Sequence, residues 1–401
     1  MLNRRRLLSV LFAVLLCRCS FCFFAGAQDA AEALPVPVNA KAAVLVDVST
    51  GQVLCAMREH ERYSPASMTK IMPLLLIAEA VDNGSIHLND PVTASAAAAA
   101  KGGSQIWLKE GETMTVDELL RAAAISSAND ACEALGEYLA GSEEALVAML
   151  NDRAAQLGMN DTNFENCTGL DDSTDTHLTS AYDVALMSVE LLRHDFIQKY
   201  TTVWMDSLRG GKTELVNTNK LVRFYDGCTG LKTGTTDKAG CCVAASAKRG
   251  DTHLLAVIMG SPSSKERFEG AKALLNWGFA QYETVTPQFD GAALKPVAVN
   301  GGTEERITPQ APALAPVLLK KGEKEKLQFA ISLSDSVQAP VEAGQKLGEL
   351  RVCSGETVLA TYPLTAPRRV EKLSFGEVMR RFLCSFPRSG AKTDRSGQET
   401  V

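Results

Sequence analysis

Apolar positions recur along this chain with two different periods, and the changes of period divide it. Residues 36–63, VPVNAKAAVLVDVSTGQVLCAMREHERY, carry two apolar runs on either side of a Ser-Thr-Gly turn, the mark of a β-hairpin. From 65 to 81 apolar residues run on at helical spacing until Asp82-Asn83-Gly84 stops them, and Ser64 before Pro65 reads as an N-cap with proline in the first turn. Pro73 falls inside that run with no N–H to offer the Thr69 carbonyl, so a bend is expected one turn after Lys70. Residues 115–160, 180–200 and 265–280 are again helical in period, whereas CCVAASA (241–247) and HLLAVIMG (253–260) read as strands. Helices inserted among strands predict an α/β (α+β) domain over 28–283, with an antiparallel sheet and a helical subdomain.

The pattern changes near Thr284. From 284 to 365, short runs such as KPVAV, LQFAISL and GELRVCSGETVLATYPL alternate with proline and glycine turns and predict a small all-β domain. Over 366–388 an amphipathic helix is expected, with Val370, Leu373, Val378, Phe382, Leu383 and Phe386 along one side and Arg368, Arg369, Lys372, Arg380 and Arg381 along the other. With Arg388 these bases face only Glu371 and Glu377, so the helix is expected to lie on an anionic membrane surface and not to cross the bilayer. Residues 389–401 are polar and read as a disordered tail. At the other end, MLNRRR, the apolar LLSVLFAVLLC and AGA before Gln28 together read as an export signal over 1–27, cut after Ala27.

Charge and cysteine usage narrow the classes further. The formal net charge is −6 over 401 residues, and the leader takes Arg4, Arg5, Arg6 and Arg18 with it but no acid, so the exported part is more acidic still. That argues against a nucleic-acid partner. The cysteines beyond the leader (55, 132, 167, 228, 241, 242, 353 and 384) are scattered, with no C-x-x-C or paired-histidine spacing for zinc, and read mostly as small buried hydrophobes.

The candidate chemistry starts at SPASMTK, residues 64–70, where Ser67 and Lys70 stand three apart and share a helix face. Alone, S-x-x-K is an exposed serine and a solvated lysine; Ser389 to Lys392 repeats it in the tail. Two further stretches change the reading: Ser127-Ala128-Asn129, in a loop between helices, and Lys232-Thr233-Gly234, before the strands. A serine hydroxyl needs a neighbouring base in order to attack a carbonyl. Lys70 serves if neutral, and burial beside a second cation such as Lys232 lowers its pKa. Ser127 is placed to relay the proton to a departing amine, and Asn129 to hold substrate amides. Lys232 and Thr233 offer charge and hydroxyl to a substrate carboxylate, and Gly234 leaves room for substrate at the strand edge. The backbone N–H groups of Ser67 and Thr235 would form an oxyanion hole.

That ordered triple resembles the low-molecular-mass penicillin-binding proteins, and specifically their D-alanyl-D-alanine carboxypeptidases. KGGSQIWLKEGE (101–112), NFENCTGLDD (163–172), HLTSAYDVALMS (177–188) and SSKERFEGAKALLNWGF (263–279) also resemble blocks of that family, so the likeness runs from about Ala40 to the C-terminus. The resemblance implies a penicillin-binding fold, a Ser67 acyl-enzyme, Lys70 as proton acceptor, Ser127 as third catalytic residue and Lys232 as a substrate ligand. It places Arg267 near the substrate's terminal carboxylate. It implies peptidoglycan stem peptides ending in D-Ala-D-Ala as substrate, β-lactams as inhibitors, no cofactor and no metal, and a peripheral place on the outer face of the cytoplasmic membrane. Thr235 departs from relatives that carry histidine after K-T-G. Two other readings stand beside it: a β-lactamase, which would use the same serine and lysine but needs a deacylating carboxylate although no E-x-x-x-N lies between Asn129 and Lys232, and a non-catalytic exported cell-wall binding protein. GGKT at 210–213 lacks the first glycine of a phosphate loop, Asp206 standing there, and His60, His87, His177, His194 and His253 are isolated in sequence.

Overall fold

The computed structural model describes residues 34–171 and 174–385, so the expected leader (1–27) and tail (389–401) lie outside the described residues. The chain forms two units: residues up to Val285 together with Pro316–Gly322, and Thr286–Ala315 together with the chain from Glu323.

Five antiparallel strands organise the first unit: β1 (Ala42–Asp47), β2 (Val53–Met57), β3 (Cys228–Thr236), β4 (Gly240–Arg249) and β5 (Thr252–Ser261), in the order β2-β1-β5-β4-β3. The first two are the expected hairpin. Period-two alternation sends Val44, Val46, Leu255 and Val257 into one core, and Leu45, Leu254, Ala256 and Ile258 into another. Covering both faces explains why these strands read as continuous apolar runs although the sheet is antiparallel. The second face is closed by α6 (Ser264–Gln281) through Phe268, Leu274, Leu275 and Phe279. A Cβ on its Gly278 would meet Leu254 Cδ1 at 2.6 Å, so glycine sets how near this helix lies to the sheet. The first face is covered by the helical block, with α1 (Ile71–Asp82), α2 (Val116–Arg121), α3 (Asn129–Ala140), α4 (Glu143–Leu157) and α5 (Ala181–Leu191).

Two local expectations are corrected. The segment after Pro65 begins as a 3₁₀ turn, Ala66–Lys70, and α1 starts only at Ile71. Pro73 is therefore in the first turn of α1, where its missing N–H has no helical partner to lose. A continuous α-helix would have driven the Thr69 carbonyl against the pyrrolidine ring. Ser64 does not cap the turn; its hydroxyl is buried and donates to Asp171 Oδ2 at 2.5 Å.

The expected boundary at 283/284 also shifts. Strand Val317–Lys320 returns to pair with Tyr282–Val285, and buried Thr284 donates its hydroxyl to Asp47 Oδ2 at 2.8 Å, tying this pair to the end of β1.

The second unit is β-rich, as expected. Leu327–Leu333, Lys346–Ser354 and Thr357–Thr365 form one sheet, and Val297–Asn300, Arg306–Ile307 and Ser336–Gln338 another. Val297, Val299, Ile307, Val341, Leu347, Ala366 and Val370 pack together. This corrects the span of the terminal helix. Val370 exchanges two backbone hydrogen bonds with Val341, each of 2.9 Å, and Leu373 N–H donates to Gly301 O, so 366–374 is non-helical. The helix, α7, is Phe375–Ser385, and the expected extension to 388 lies outside the described residues.

Because Val370 belongs to this core, a chain ending after Ala366 is expected to lose the cooperative unfolding transition of the second unit, whereas one ending after Ser374 keeps it. Scanning calorimetry checks this, and identical transitions in the two truncations would refute it.

Candidate active site

A 3₁₀ turn has three residues per turn, so positions i and i+3 eclipse. Ser67 and Lys70 are stacked in this way: Lys70 Nζ donates to Ser67 Oγ at 2.9 Å and to the Thr168 carbonyl at 2.8 Å, with the Lys70 side chain wholly buried. Thr168 is presented by a turn in which Asn166 Oδ1 accepts from the N–H groups of Thr168 (3.1 Å) and Gly169 (2.7 Å). Gly169 has φ +82°, and a Cβ there would lie 1.8 Å from the Ala66 carbonyl oxygen, so only glycine lets the two turns meet. Asp171 Oδ2 then bridges Ser64 Oγ and Thr236 Oγ1 (2.7 Å), joining the nucleophile turn to β3. On the other side, His177 Nδ1 accepts from Glu165 N–H at 3.0 Å, which leaves Nε2 to donate to Thr69 Oγ1 at 2.8 Å. Burial pushes this imidazole down to about 4, so it is neutral.

The second serine is delivered by an interruption in the helical block. After α2 the chain widens into a π turn, Ala122–Ser126, which ends at Ser127 with φ +65°, a left-handed conformation rare outside glycine. Ser127 Oγ accepts from Lys232 Nζ at 2.7 Å, and the same Nζ donates to the Thr233 carbonyl at 3.0 Å. Asn129 opens α3 with its Nδ2 donating to Gly102 O at 2.7 Å, while its buried Oδ1 has no hydrogen-bond partner among the described residues. That oxygen is an acceptor waiting for a donor.

Strand β3 is a sheet edge and carries Lys232-Thr233-Gly234-Thr235. Thr233 donates to Thr218 Oγ1 at 2.8 Å. The protein itself requires glycine at 234: a Cβ would meet the Pro65 carbonyl at 2.6 Å and Ser67 N at 3.1 Å. Arg267, on α6, lies against the same strand. It is buried, and its Nη1 donates to Gly234 O (2.9 Å), Thr235 Oγ1 (2.8 Å) and Cys242 O (3.1 Å), so it braces the strand.

A family model described as D-alanyl-D-alanine carboxypeptidase matches residues 27–263. The chain belongs to this family. A second family model, the penicillin-binding protein 5 C-terminal domain, matches 282–372. The D-alanyl-D-alanine carboxypeptidase DacF of Bacillus subtilis is 41% identical over 358 residues, covering 88% of this chain and 92% of its own length. DacC of Escherichia coli is 32% identical, covering 88% and 90%. Among solved structures, penicillin-binding protein 5 of Haemophilus influenzae aligns with a TM-score of 0.75 at 28% identity over 85% of this chain and all of its own. Penicillin-binding protein D2 of Listeria monocytogenes, solved in a cefotaxime-bound form, aligns at 0.57 and 29% identity over 61% of this chain and 99% of its own.

In this member of the family the electrostatics are set by burial. Desolvation lowers the Lys70 pKa from 10.5 to about 8. Lys232 is pushed well down too, by desolvation first and then by the Lys70 charge. No carboxylate is hydrogen-bonded to Ser67, Lys70, Ser127 or Lys232 among the described residues, and the nearby Asp130 carboxylate offsets the burial of Lys70 only in part. A site with an amine near its titration point beside a hydroxyl can move a proton at neutral pH. Thr168, Asn166 and Asp171 were not singled out by the sequence as site residues, although their block, NFENCTGLDD, was; Thr218 carried no signal at all. The buried cysteines 55, 132, 167 and 242 accord with small core residues.

Lysine-selective NMR titration is expected to find Lys70 with a midpoint near 8, against 10.5 for a solvated lysine. A midpoint above about 10 would mean the pocket admits enough water to restore the ordinary value.

Proposed function

We propose that the protein removes the terminal D-alanine from peptidoglycan stem peptides by a serine acyl-enzyme route. The observation that carries this is the buried Lys70 Nζ held between Ser67 Oγ and the Thr168 carbonyl. Neutral Lys70 keeps an N–H on Thr168 and turns its lone pair to Ser67. It takes the hydroxyl proton as Oγ bonds to the carbonyl carbon of the D-Ala–D-Ala peptide. The carbonyl oxygen becomes an oxyanion facing the N–H groups of Ser67 and Thr235, where losing one donor costs ~3 kcal/mol. Collapse breaks the C–N bond; the departing amine takes a proton through Ser127, and D-alanine leaves. Water, deprotonated by the same lysine, then releases Ser67. Asn129 Oδ1 accepts a substrate amide N–H, Lys232 and Thr233 hold the terminal carboxylate, and Arg267 acts through the strand that carries them. β-Lactams acylate Ser67 by the same attack. Among the described residues no carboxylate is bonded to this cluster, which favours a carboxypeptidase over a β-lactamase, and the intact Ser67–Lys70 pair favours an enzyme over a binding protein.

Ser67→Ala should abolish D-alanine release from a stem-peptide mimic; equal release by variant and parent would sink the assignment. Lys70→Arg keeps the charge but cannot give a neutral base. Penicillin acylation should fall by at least ~100-fold in it, and in the parent should rise with pH through about 8 as Lys70 loses its proton. A flat profile, or normal acylation of the arginine variant, would assign the proton to another group.

We further propose that the exported protein is held on the outer face of the cytoplasmic membrane by α7. Phe375, Val378, Met379 and Phe382 recur at helical spacing and are exposed, while Arg380 and Arg381 stand off that stripe. No helix among the described residues is long and apolar enough to span a bilayer. An exposed apolar stripe flanked by arginines suits an anionic interface. Full-length protein should cosediment with vesicles containing phosphatidylglycerol, and a chain ending after Ser374 should not. Equal sedimentation of the two would place the anchor elsewhere.

A further inference from the structure

Trp107 is 76% exposed, and its backbone sits at φ +59°, where a bulky residue is rare. The neighbouring backbone holds it there. Ile106 N–H and Leu108 N–H both donate to the buried Asp130 carboxylate (3.1 and 2.9 Å), and the Ile106 carbonyl accepts from Arg209 Nη1 at 2.8 Å. The same loop gives Gly102 O to Asn129 Nδ2 and Ser104 O to Asn129 N–H, so the indole is tied to the edge of the catalytic site. A strained conformation fixed this firmly points to a use for the outward side chain.

Beside the indole lies a cavity of about 660 Å³, also lined by Lys109, Glu110, Arg209, Lys212 and Thr213. That volume is in the range of small-molecule sites, ~300–1,000 Å³. Trp107 is the one exposed apolar side chain of the lining, since Ile106 is buried. A protein-docking face would need a contiguous apolar patch. A single flat aromatic among hydrogen-bonding groups instead matches a sugar ring, which has one C–H face and a rim of hydroxyls.

We propose that Trp107 is the platform of a saccharide subsite that stacks an N-acetylhexosamine of the glycan strand carrying the stem peptide, with Lys109, Glu110 and Lys212 bonding its hydroxyl and acetamido groups. This rests on the carboxypeptidase reading for its substrate, and two measurements separate the failures. Calorimetry with the peptide-free N-acetylglucosaminyl-N-acetylmuramic acid disaccharide, on Ser67→Ala protein so that turnover plays no part, should detect binding. Adding Trp107→Ala should weaken it by ~5–10-fold, the worth of one aromatic contact, and Trp107→Phe should restore most of it. In the active protein, kcat/KM for D-alanine release should favour disaccharide-pentapeptide over sugar-free pentapeptide through KM, and Trp107→Ala should bring that ratio close to one. No binding of the disaccharide, or equal binding with and without Trp107, overturns the subsite even if D-alanine is released. Binding that depends on Trp107 without any release of D-alanine supports the subsite and overturns the reaction.

Discussion

The site depends on one buried amine. Taking Lys70 out of water lowers its pKa from 10.5 to about 8, a differential cost on the order of 3 kcal/mol against the charged form. The surroundings therefore have to satisfy a nitrogen that changes between three donors and two donors with a lone pair. A carbonyl and a hydroxyl do this where a carboxylate would not. The carbonyl accepts from either form, and the hydroxyl accepts from the ammonium or gives its proton to the amine. Placing an acid against Lys70 would have raised its pKa and held the lysine charged.

That requirement accounts for the crowding around the nucleophile. Thr168 can face Lys70 only if its turn comes within contact of Ala66, and Gly169 makes the approach. The Ser67 turn also comes close to β3, and Gly234 makes that approach. Arg267 pins β3 from behind through Gly234 and Thr235, and Asp171 pins it to Ser64. The groups proposed to act on substrate sit at meeting points of several elements, so their positions are fixed by packing and not by their own local preferences.

This explains which features were legible. The hairpin, the sheet strands and the helical block follow from periodicity, because their apolar positions face cores that any arrangement would have to bury. Ser67, Lys70, Ser127 and Lys232 were legible as types in order, and the structure brings them together in two hydrogen-bonded pairs. The sequence does not reveal that Arg267 and Gly234 also hold the nucleophile turn and β3 together, because those contacts join segments far apart in the chain. The 3₁₀ turn is not legible, because helical spacing in 65–81 is the same whether the first turn is wide or tight; Pro73 marks the beginning of the α-helix and not a bend within it. Thr168 acts through its carbonyl, which every residue has, so side-chain identity could not reveal it. Val370 fitted the amphipathic pattern of the tail equally well as a core residue of the second unit.

The return of Val317–Lys320 to the first unit has a consequence for how such a protein can be assembled from parts. The backbone passes from one unit to the other three times, after Val285, after Ala315 and after Gly322. A cut at the apparent junction near 285 would leave the catalytic half without the partner of Tyr282–Val285 and would send that strand away with the β-rich half. Neither half is a cassette that a single crossover could exchange intact. A chimaera would have to carry the strand with the catalytic half, and sequence drift in 317–320 should follow the neighbours of Tyr282–Val285 more closely than the sheets on either side of it in the chain.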